Sequence, residues 1–370
     1  MMDRFRNGAR RACALGSALA LLALAGLAAE GAAKLSPQEE ALVREAKKEG
    51  SVTLINPIIA DGTERVFGAA FVKYYGLGEN FKFNNLRKGT GPVVAQVRQE
   101  IKANKFTAGA MFVNNPAFFA AAAKEGAFLK LDSVRWKDHE AGMRTAGQYF
   151  NYPYVVTPFA YTFVPVWNAN CPGMENVKIE SIFDTVAPAL KGKTIASDLT
   201  KSSTYTNTAL GLEEAGIDMA DFWKKLKATE PVIEFRTEPK LQMVMKCERT
   251  VDTWNLAARV PQAIEGKPEL RQHIRIGTYK EGHVMLGNQM AALKGAAHPN
   301  AAKLLIEFFL TRESADIMAT HEGMYSFMKG WKIPKEAWFM TEVKPLGIKD
   351  WVGAGKKFDA TRDRWSGTFQ

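Results

Sequence analysis

Cysteine is scarce in this chain. The whole sequence holds three, and none stands in a CxxC or comparable metal or redox spacing. The five histidines are isolated from one another and no HExxH run occurs, so a zinc protease has no support. There is no GxSxG elbow, which removes that type of serine hydrolase. Residues 89–91 (GTG) lack the third glycine of a dinucleotide fingerprint. Residues 187–194 (APALKGKT) satisfy a loose phosphate-loop pattern. However, Pro188 interrupts it, its first glycine is missing, and Thr194 leads into a strand rather than a helix. Cys171 lies in a Cys-Pro-Gly turn with no base assigned to activate it. Beyond the N-terminal region no run is long and apolar enough to cross a bilayer. The sequence therefore offers no acid, base or nucleophile cluster, no metal and no cofactor, and the expectation is a protein that is not an enzyme.

What is present begins at the N-terminus. Arg4, Arg6, Arg10 and Arg11 precede an uncharged, Ala- and Leu-rich stretch over 12–29, and small residues continue to Ala33. This is the positive, apolar and small-residue order of a secretory signal, with Gly31 and Ala33 placed before a cut at Lys34. The uncharged run of 18 residues falls short of the ~20 that span a bilayer. Cys13 sits at the front of the apolar stretch, whereas a lipoprotein cysteine would end it, so a soluble periplasmic product is expected. Without residues 1–33, the 49 Lys and Arg against 39 Asp and Glu become 45 against 37. The basic residues are scattered and the chain is exported. Nucleic acid is therefore not expected as a partner, and the charge gives either a modest pull on anionic ligands or an ordinary solvated surface. Cys171 and Cys247 remain after cleavage and can pair in an oxidising compartment.

The remaining length exceeds one small core and points to two domains. Ser36-Pro37-Gln38-Glu39 starts a helix that should stop at Gly50. Residues 51–56 (SVTLIN) read as a buried strand ended by Pro57. Residues 61–75 look helical, with Val66, Phe67, Ala70 and Phe71 on one face. A strand over 81–86, a helix over 91–104, a strand over 109–113 (GAMFV) and a helix over 117–125 continue the alternation. That alternation implies an α/β domain with a largely parallel sheet. Residues 149–167 are rich in proline and aromatics and break the rhythm as a candidate crossover. A second α/β region follows, with strands over 193–197, 232–235 and 250–254 and helices over 202–212, 221–228 and 240–246. Residues 282–293 (GHVMLGNQMAAL) read as the return crossover, before helices over 300–309 and 312–319.

Residues 295–319 (GAAHPNAAKLLIEFFLTRESADIMA) resemble the signature of extracellular solute-binding proteins of family 1, and in particular the group that binds ferric iron, phosphonates, thiamine and polyamines. Residues 190–194 (LKGKT) and 46–54 (AKKEGSVTL) resemble that family's step into lobe two and its opening helix-to-strand step. The matches are ordered, span about 42–319, and depart from the family at Ala297, where proline is usual. The resemblance implies an α/β, two-lobed periplasmic binding protein fold of type 2, each lobe a mostly parallel sheet flanked by helices and joined by crossover strands. Lobe one is expected over 34–160, lobe two over 165–280, a return to lobe one over 285–325, and a C-terminal tail over 326–370 packing on lobe two. It further implies the solute-binding subunit of an ABC importer, monomeric, closing by a hinge on a small polar or anionic solute and read by permease subunits. A sensory binding module, a ferric-iron binder and, less readily, an enzyme on the same fold are the alternatives. The residues of the signature itself have a structural reading: Leu304, Leu305, Phe308 and Phe309 form an apolar helix face, and Thr311 can cap the next helix.

Ligands of open parallel sheets bind beyond the carboxyl ends of strands. This singles out Asn56 after the first strand, Thr90 after the second, and Asn114 and Asn115 after the third. In lobe two it singles out Ser202, Ser203, Thr204 and Tyr205, where hydroxyls and helix N-terminal amides favour an anion or serve only as a cap. Trp254 and Asn255 end a later strand, where an indole can stack on a ring or cation, or pack in the core. The resembled ferric binders carry adjacent tyrosines at that strand end, and this chain has Thr253-Trp254-Asn255. Amides and hydroxyls suit a phosphonate, carboxylate or other polar solute better than hard Fe(III).

Overall fold

A computed structural model describes residues 35–369, so the expected signal and its cleavage site lie outside the described residues. The first lobe is built from α1 (Pro37–Glu49), β1 (Ser51–Asn56), α2 (Asp61–Tyr74), β2 (Lys82–Arg87), α3 (Thr90–Ala103), β3 (Ala110–Val113), α4 (Pro116–Lys124), α5 (Lys137–Thr145) and β4 (Val156–Tyr161). The chain then crosses into β5 (Val164–Asn168). The second lobe continues with β6 (Thr194–Ser197), α6 (Ser203–Glu214), α7 (Met219–Ala228), β7 (Val232–Glu234), α8 (Thr237–Met245), β8 (Val251–Asn255), α9 (Arg259–Ala263) and β9 (Ile274–Ile276). The return runs through β10 (His283–Val284), β11 (Leu286–Ala292), α10 (Pro299–Phe309), α11 (Arg312–Glu322) and β12 (Tyr325–Ser326). The C-terminal segment adds β13 (Pro345–Leu346), α12 (Trp351–Ala354) and α13 (Phe358–Phe369). Among the described residues no helix is long and apolar enough to cross a membrane.

The first sheet has strand order β12-β4-β11-β3-β1-β2, and the second β7-β6-β8-β5-β9. The helix-linked strands pair in parallel: β1 with β2 and β3, and β6 with β7 and β8. The crossover strands do not. β11 is antiparallel to β3 and β4, and β5 is antiparallel to β8 and β9. Each sheet is thus mixed rather than mostly parallel. A strand arriving from the other lobe needs no helical crossover, and this frees it to pair antiparallel.

Aromatic rings hold lobe one together. Phe67 on α2 meets Phe308 and Phe309 on α10 at 5.0 and 4.8 Å, and Phe309 in turn meets Phe112 and Phe159 of the sheet at 5.0 and 5.9 Å. The apolar face of α10 is buried as its spacing predicts. The buried face of α2 is Thr63, Phe67 and Phe71, an i, i+4, i+8 stripe, and Val66 lies exposed beside it. Lobe two closes over Val164, Val166, Ile195, Leu241 and Val244. Cys171, just past β5, is disulfide-bonded to Cys247, just past α8.

The C-terminal segment meets elements of both lobes. Helix α13 packs on α6 and α7 of lobe two, but α12 packs on α4 of lobe one, and the Trp351 indole donates to the Gly147 carbonyl at 2.5 Å. β12 joins the first sheet as its edge. Short helices in a polar segment carry no sustained period, so the face they cover is set by the surface they meet.

One buried cluster in lobe one gives a pH-dependent stability. Glu307 is almost fully buried and accepts from Ser133 Oγ at 2.9 Å. Burial pushes its carboxyl up to about 7, against the pull of that hydrogen bond, with the Glu39 charge adding to the rise. His139 is also buried and is lowered to about 4 by burial, opposed by its bond to the Leu310 carbonyl at 3.2 Å. A carboxyl raised in the fold contributes stability that is complete below its unfolded value near 4.3 and is lost as pH rises through about 7. A lowered imidazole contributes stability that is present above about 6.5 and is lost as pH falls towards about 4. Between these limits the two slopes oppose each other. Replacing Glu307 by Gln keeps the neutral form, so the variant should match the parent near pH 4 and exceed it by about 3 kcal/mol at pH 8. Urea unfolding across that pH range measures this, and parallel curves would show that Glu307 ionises normally.

Candidate functional site

The carboxyl ends of β1, β2, β6, β7 and β8 converge on one cavity of about 510 Å³ between the lobes. Lobe one lines it with Pro57, Ile58, Arg87, Gly89, Thr90 and Tyr161. Lobe two contributes Lys201, Ser202, Thr204, Tyr205, Phe235, Arg236, Glu238 and Arg259. Three helices start at its wall, α3, α6 and α8; the N-cap residues of all three make no side-chain cap, and in α8 the Glu238 carboxylate accepts from its own first-turn amide. Elsewhere α4, α7 and α11 are capped by Asn115, Asp218 and Thr311, whereas the N-cap residues of α2, α5, α9 and α10 also make no side-chain cap. First-turn amides without an internal acceptor, together with the positive end of the helix dipole, attract an anion. A groove of about 580 Å³ on lobe one is larger, but it lies along α2 and the start of β2, at the opposite end from these carboxyl termini.

The charge of the cavity is mostly positive. Arg87, Lys201, Arg236 and Arg259 face it, against the single carboxylate of Glu238. Arg259 is buried and anchored. Its Nη1 donates to Gln262 at 2.7 Å and to Glu322 of lobe one at 3.1 Å, and Nη2 reaches the Ile58 carbonyl at 3.5 Å. Arg87 donates to Glu238 across the cleft at 3.0 Å. Burial works against the Glu238 charge, but Arg259 and Arg87 outweigh it and hold the carboxyl down at about 2.

Below the floor lies an ion pair, Lys240 with Asp252 at 3.0 Å, both fully buried. The Lys240 ammonium also donates to Ser197 Oγ at 2.8 Å and to the Trp254 carbonyl, and it sits 4.9 Å from the Tyr205 ring centroid. Tyr205 in turn stacks towards Trp254 at 6.1 Å. The pair thus supports the ring that floors the cavity. Burial pushes the Tyr205 and Tyr161 hydroxyls up, in the first case against the Lys240 charge and in the second against a hydrogen bond with Thr204.

The expected site residues divide into three groups. Thr90, Ser202, Thr204 and Tyr205 line the interlobe cavity. Asn114, Asn115 and Ser203 line a separate chamber of about 430 Å³ with Arg98, Asn207 and Arg362, behind the start of α6. There Asn114 bridges the lobes, donating to the Gly287 carbonyl at 2.6 Å and accepting from Asn207 at 2.8 Å. The third group is off both cavities. Asn56 is fully buried and accepts from the amides of Ile58 and Ile59 at 2.9 and 2.7 Å, folding the loop that presents Pro57. Trp254 is packed between Tyr205 and Phe222 rather than open for stacking, and Asn255 donates to Asp252 at 2.6 Å and to the Thr237 carbonyl at 3.1 Å. Asn56 and Asn255 end their strands and Trp254 is next to last in β8, and because both faces of these strand ends are covered all three side chains are buried. The residues that sequence reasoning missed are the charged ones, Arg87, Arg236, Glu238 and Arg259. Arg87 ends β2 and Arg236 precedes α8, so the strand-end rule applied to every strand would have found both.

No protein-family model and no curated protein matches the chain. Solved structures do. Iron-bound HitA from Pseudomonas aeruginosa is 16% identical over 86% of this chain and 99% of its own, with a TM-score of 0.64. A periplasmic thiamin binding protein is 17% identical over 86% and 96%, with a TM-score of 0.67. The periplasmic binding protein AfuA from Actinobacillus pleuropneumoniae, with fructose-6-phosphate bound, is 17% identical over 86% and 98%, also at 0.67. At these identities the likeness is one of fold, and the chain has the two-lobed fold of these binding proteins.

Proposed function

We propose that this protein captures a small anionic solute between its lobes and delivers it, from the periplasm, to the permease of an ABC importer. The observation that carries this reading is the meeting of the α3 and α6 N-termini, which lack a side-chain cap, with four cationic side chains against one carboxylate in one interlobe cavity. Among proteins of similar fold, AfuA holds a sugar phosphate, and the charge of this cavity suits a phosphate or carboxylate group. A cationic solute such as thiamin would meet four like charges against the one carboxylate of Glu238, which Arg87 and Arg259 already engage.

Capture proceeds by hinge closure. The chain passes between sheets at residues 162–163 and returns ahead of β11, and these short links let one lobe rotate on the other. Solute drives closure only through its preference for the closed form, which must be several kcal/mol to move the population from open to closed. No cysteine or histidine lines the cavity, and its carboxylate is already held by two arginines. Nothing there is poised as a nucleophile or general base, so the reading is binding without chemistry.

The test is calorimetry of the mature protein against inorganic phosphate, fructose 6-phosphate, thiamin and ferric citrate. The anions should bind and thiamin should not. Replacing Thr204 by Ala removes a hydroxyl contact of about 0.5–1.5 kcal/mol, so anion affinity should fall up to about tenfold with the fold intact. Tight Fe(III) binding with a phenolate charge-transfer colour would replace this reading with iron transport.

A further inference from the structure

Among the described residues Glu238 is the one carboxylate lining a cavity that carries four cations, and its position is unusual. It lies in the first turn of α8, in lobe two. Its Oε1 accepts from Arg87 Nη2 of lobe one at 3.0 Å and lies 3.4 Å from Arg259 Nε. That Arg259 nitrogen is buried and has no other partner among the described residues. Thr237 Oγ1 donates to Glu238 Oε2 at 3.0 Å. The carboxylate therefore sits between two guanidinium groups from opposite lobes and accepts from its own amide at the start of α8, where an incoming anion would be most strongly held. Its side chain is half exposed, at 51%, so it can swing out to solvent without unfolding anything around it.

We propose that Glu238 is a built-in competing anion. In the ligand-free protein it fills the cationic centre of the cleft and ties lobe two to Arg87 of lobe one, and an anionic solute binds by displacing it. The inference rests on the anion-binding reading of the cleft. Its consequence concerns specificity. An incoming anion gains only what it offers beyond the carboxylate it replaces. A lone monocarboxylate exchanges like for like. A phosphate ester, with charge near −1.5 to −2 and three acceptor oxygens, gains additional charge-assisted hydrogen bonds to the same guanidinium groups and helix amides. Glu238 thereby makes the site reject weak anions that are abundant in solution.

A residue that contacts solute favourably and one that competes with it differ in the sign of the mutant effect. Glu238→Gln keeps size and polarity and removes the charge. The probe is inorganic phosphate, titrated calorimetrically into the mature parent protein, into E238Q and into E265Q, which removes an exposed carboxylate two residues past α9 and outside the cavity. E238Q should bind phosphate about tenfold more tightly than the parent, and E265Q should stay within about twofold. Unchanged or weaker binding by E238Q overturns the inference while leaving the anion-binding reading in place. An equal gain in E265Q also overturns it, because the effect would then be one of overall charge. Absence of phosphate binding to all three proteins defeats the anion-binding reading and this inference with it.

Discussion

Replacing Lys240 by Met is expected to destabilise the protein by about 3–5 kcal/mol, more than any other single change to the cleft. Lys240 and Asp252 are both fully buried, so neither charge has water to fall back on. Burial disfavours the ammonium, yet Asp252 outweighs this and holds Lys240 above its ordinary value. Asp252 also accepts from the Trp254 amide at 3.1 Å and from Asn255 at 2.6 Å. Those donors are neutral. Once the ammonium is gone they leave an uncompensated buried carboxylate, which is the costly outcome. The double variant K240M/D252N removes the stranded charge, but the Trp254 amide and Asn255 bond different oxygens of Asp252 and one amide oxygen can keep only one of them, so it should recover part of the loss. Urea unfolding followed by tryptophan fluorescence reports the change, with Trp254 lying against the pair. A single variant as stable as the parent, or a double variant no better than the single, would show that the pair is not what holds this floor. Tyr205 should lose its support in both variants, so phosphate affinity should fall even where stability returns.

The disulfide carries the second large effect. Cys171 and Cys247 close a loop across a separation of 76 residues, with their Cα atoms 5.6 Å apart. The chain-entropy treatment gives about 4.5 kcal/mol for a loop of that length as an upper value, and native pairs of this kind are worth roughly 2–4 kcal/mol. The double variant C171A/C247A should lose a stability in that range and still fold. The same junction is held without sulfur: Asn168 Nδ2 reaches the Val244 and Met245 carbonyls at 3.2 and 3.4 Å. Thiol titration of the unfolded, unreduced mature protein should find neither cysteine free. Two titrating thiols would remove the bond and the stability assigned to it.

The two effects act on different states. The ion pair acts on the native state, through desolvation beneath the cleft floor. The disulfide acts on the unfolded chain, through its lost freedom. Added salt should leave both nearly unchanged, since a buried pair is poorly screened and a covalent link is not screened. By contrast the exposed Arg144–Glu140 and Lys225–Asp221 pairs, each one helical turn apart, are worth only a few tenths of a kcal/mol and should screen away.

The helices and strands of both lobes were legible wherever local chemistry and period agreed. Residues 51–56 are a strand because an apolar run lies between Gly50 and Pro57, and the structure has β1 at Ser51–Asn56. The stripe in α10 is a helix face because its apolar residues recur at three and four. Helix α5 was invisible for the complementary reason. Its KDHEAGMRT run buries only His139 and Met143, too sparse a stripe to stand out among polar neighbours.

By itself the sequence determined an α/β chain of two sheets, the order of its elements, and a Ser/Thr-rich helix start at Ser202–Tyr205. These follow from interactions among near neighbours in the chain, where composition and period are sufficient. Only the tertiary structure decided that Asn56, Trp254 and Asn255 turn into the core and that Asn114 bridges the lobes. It alone brought Arg87, Glu238 and Arg259 together at the centre of the cavity. Arg87 and Glu238 are separated by 151 positions, and in sequence each is one ordinary charge among many. Electrostatic contact depends on distance in space, and folding two separate sheets onto one hinge sets that distance without leaving a periodic trace along the chain.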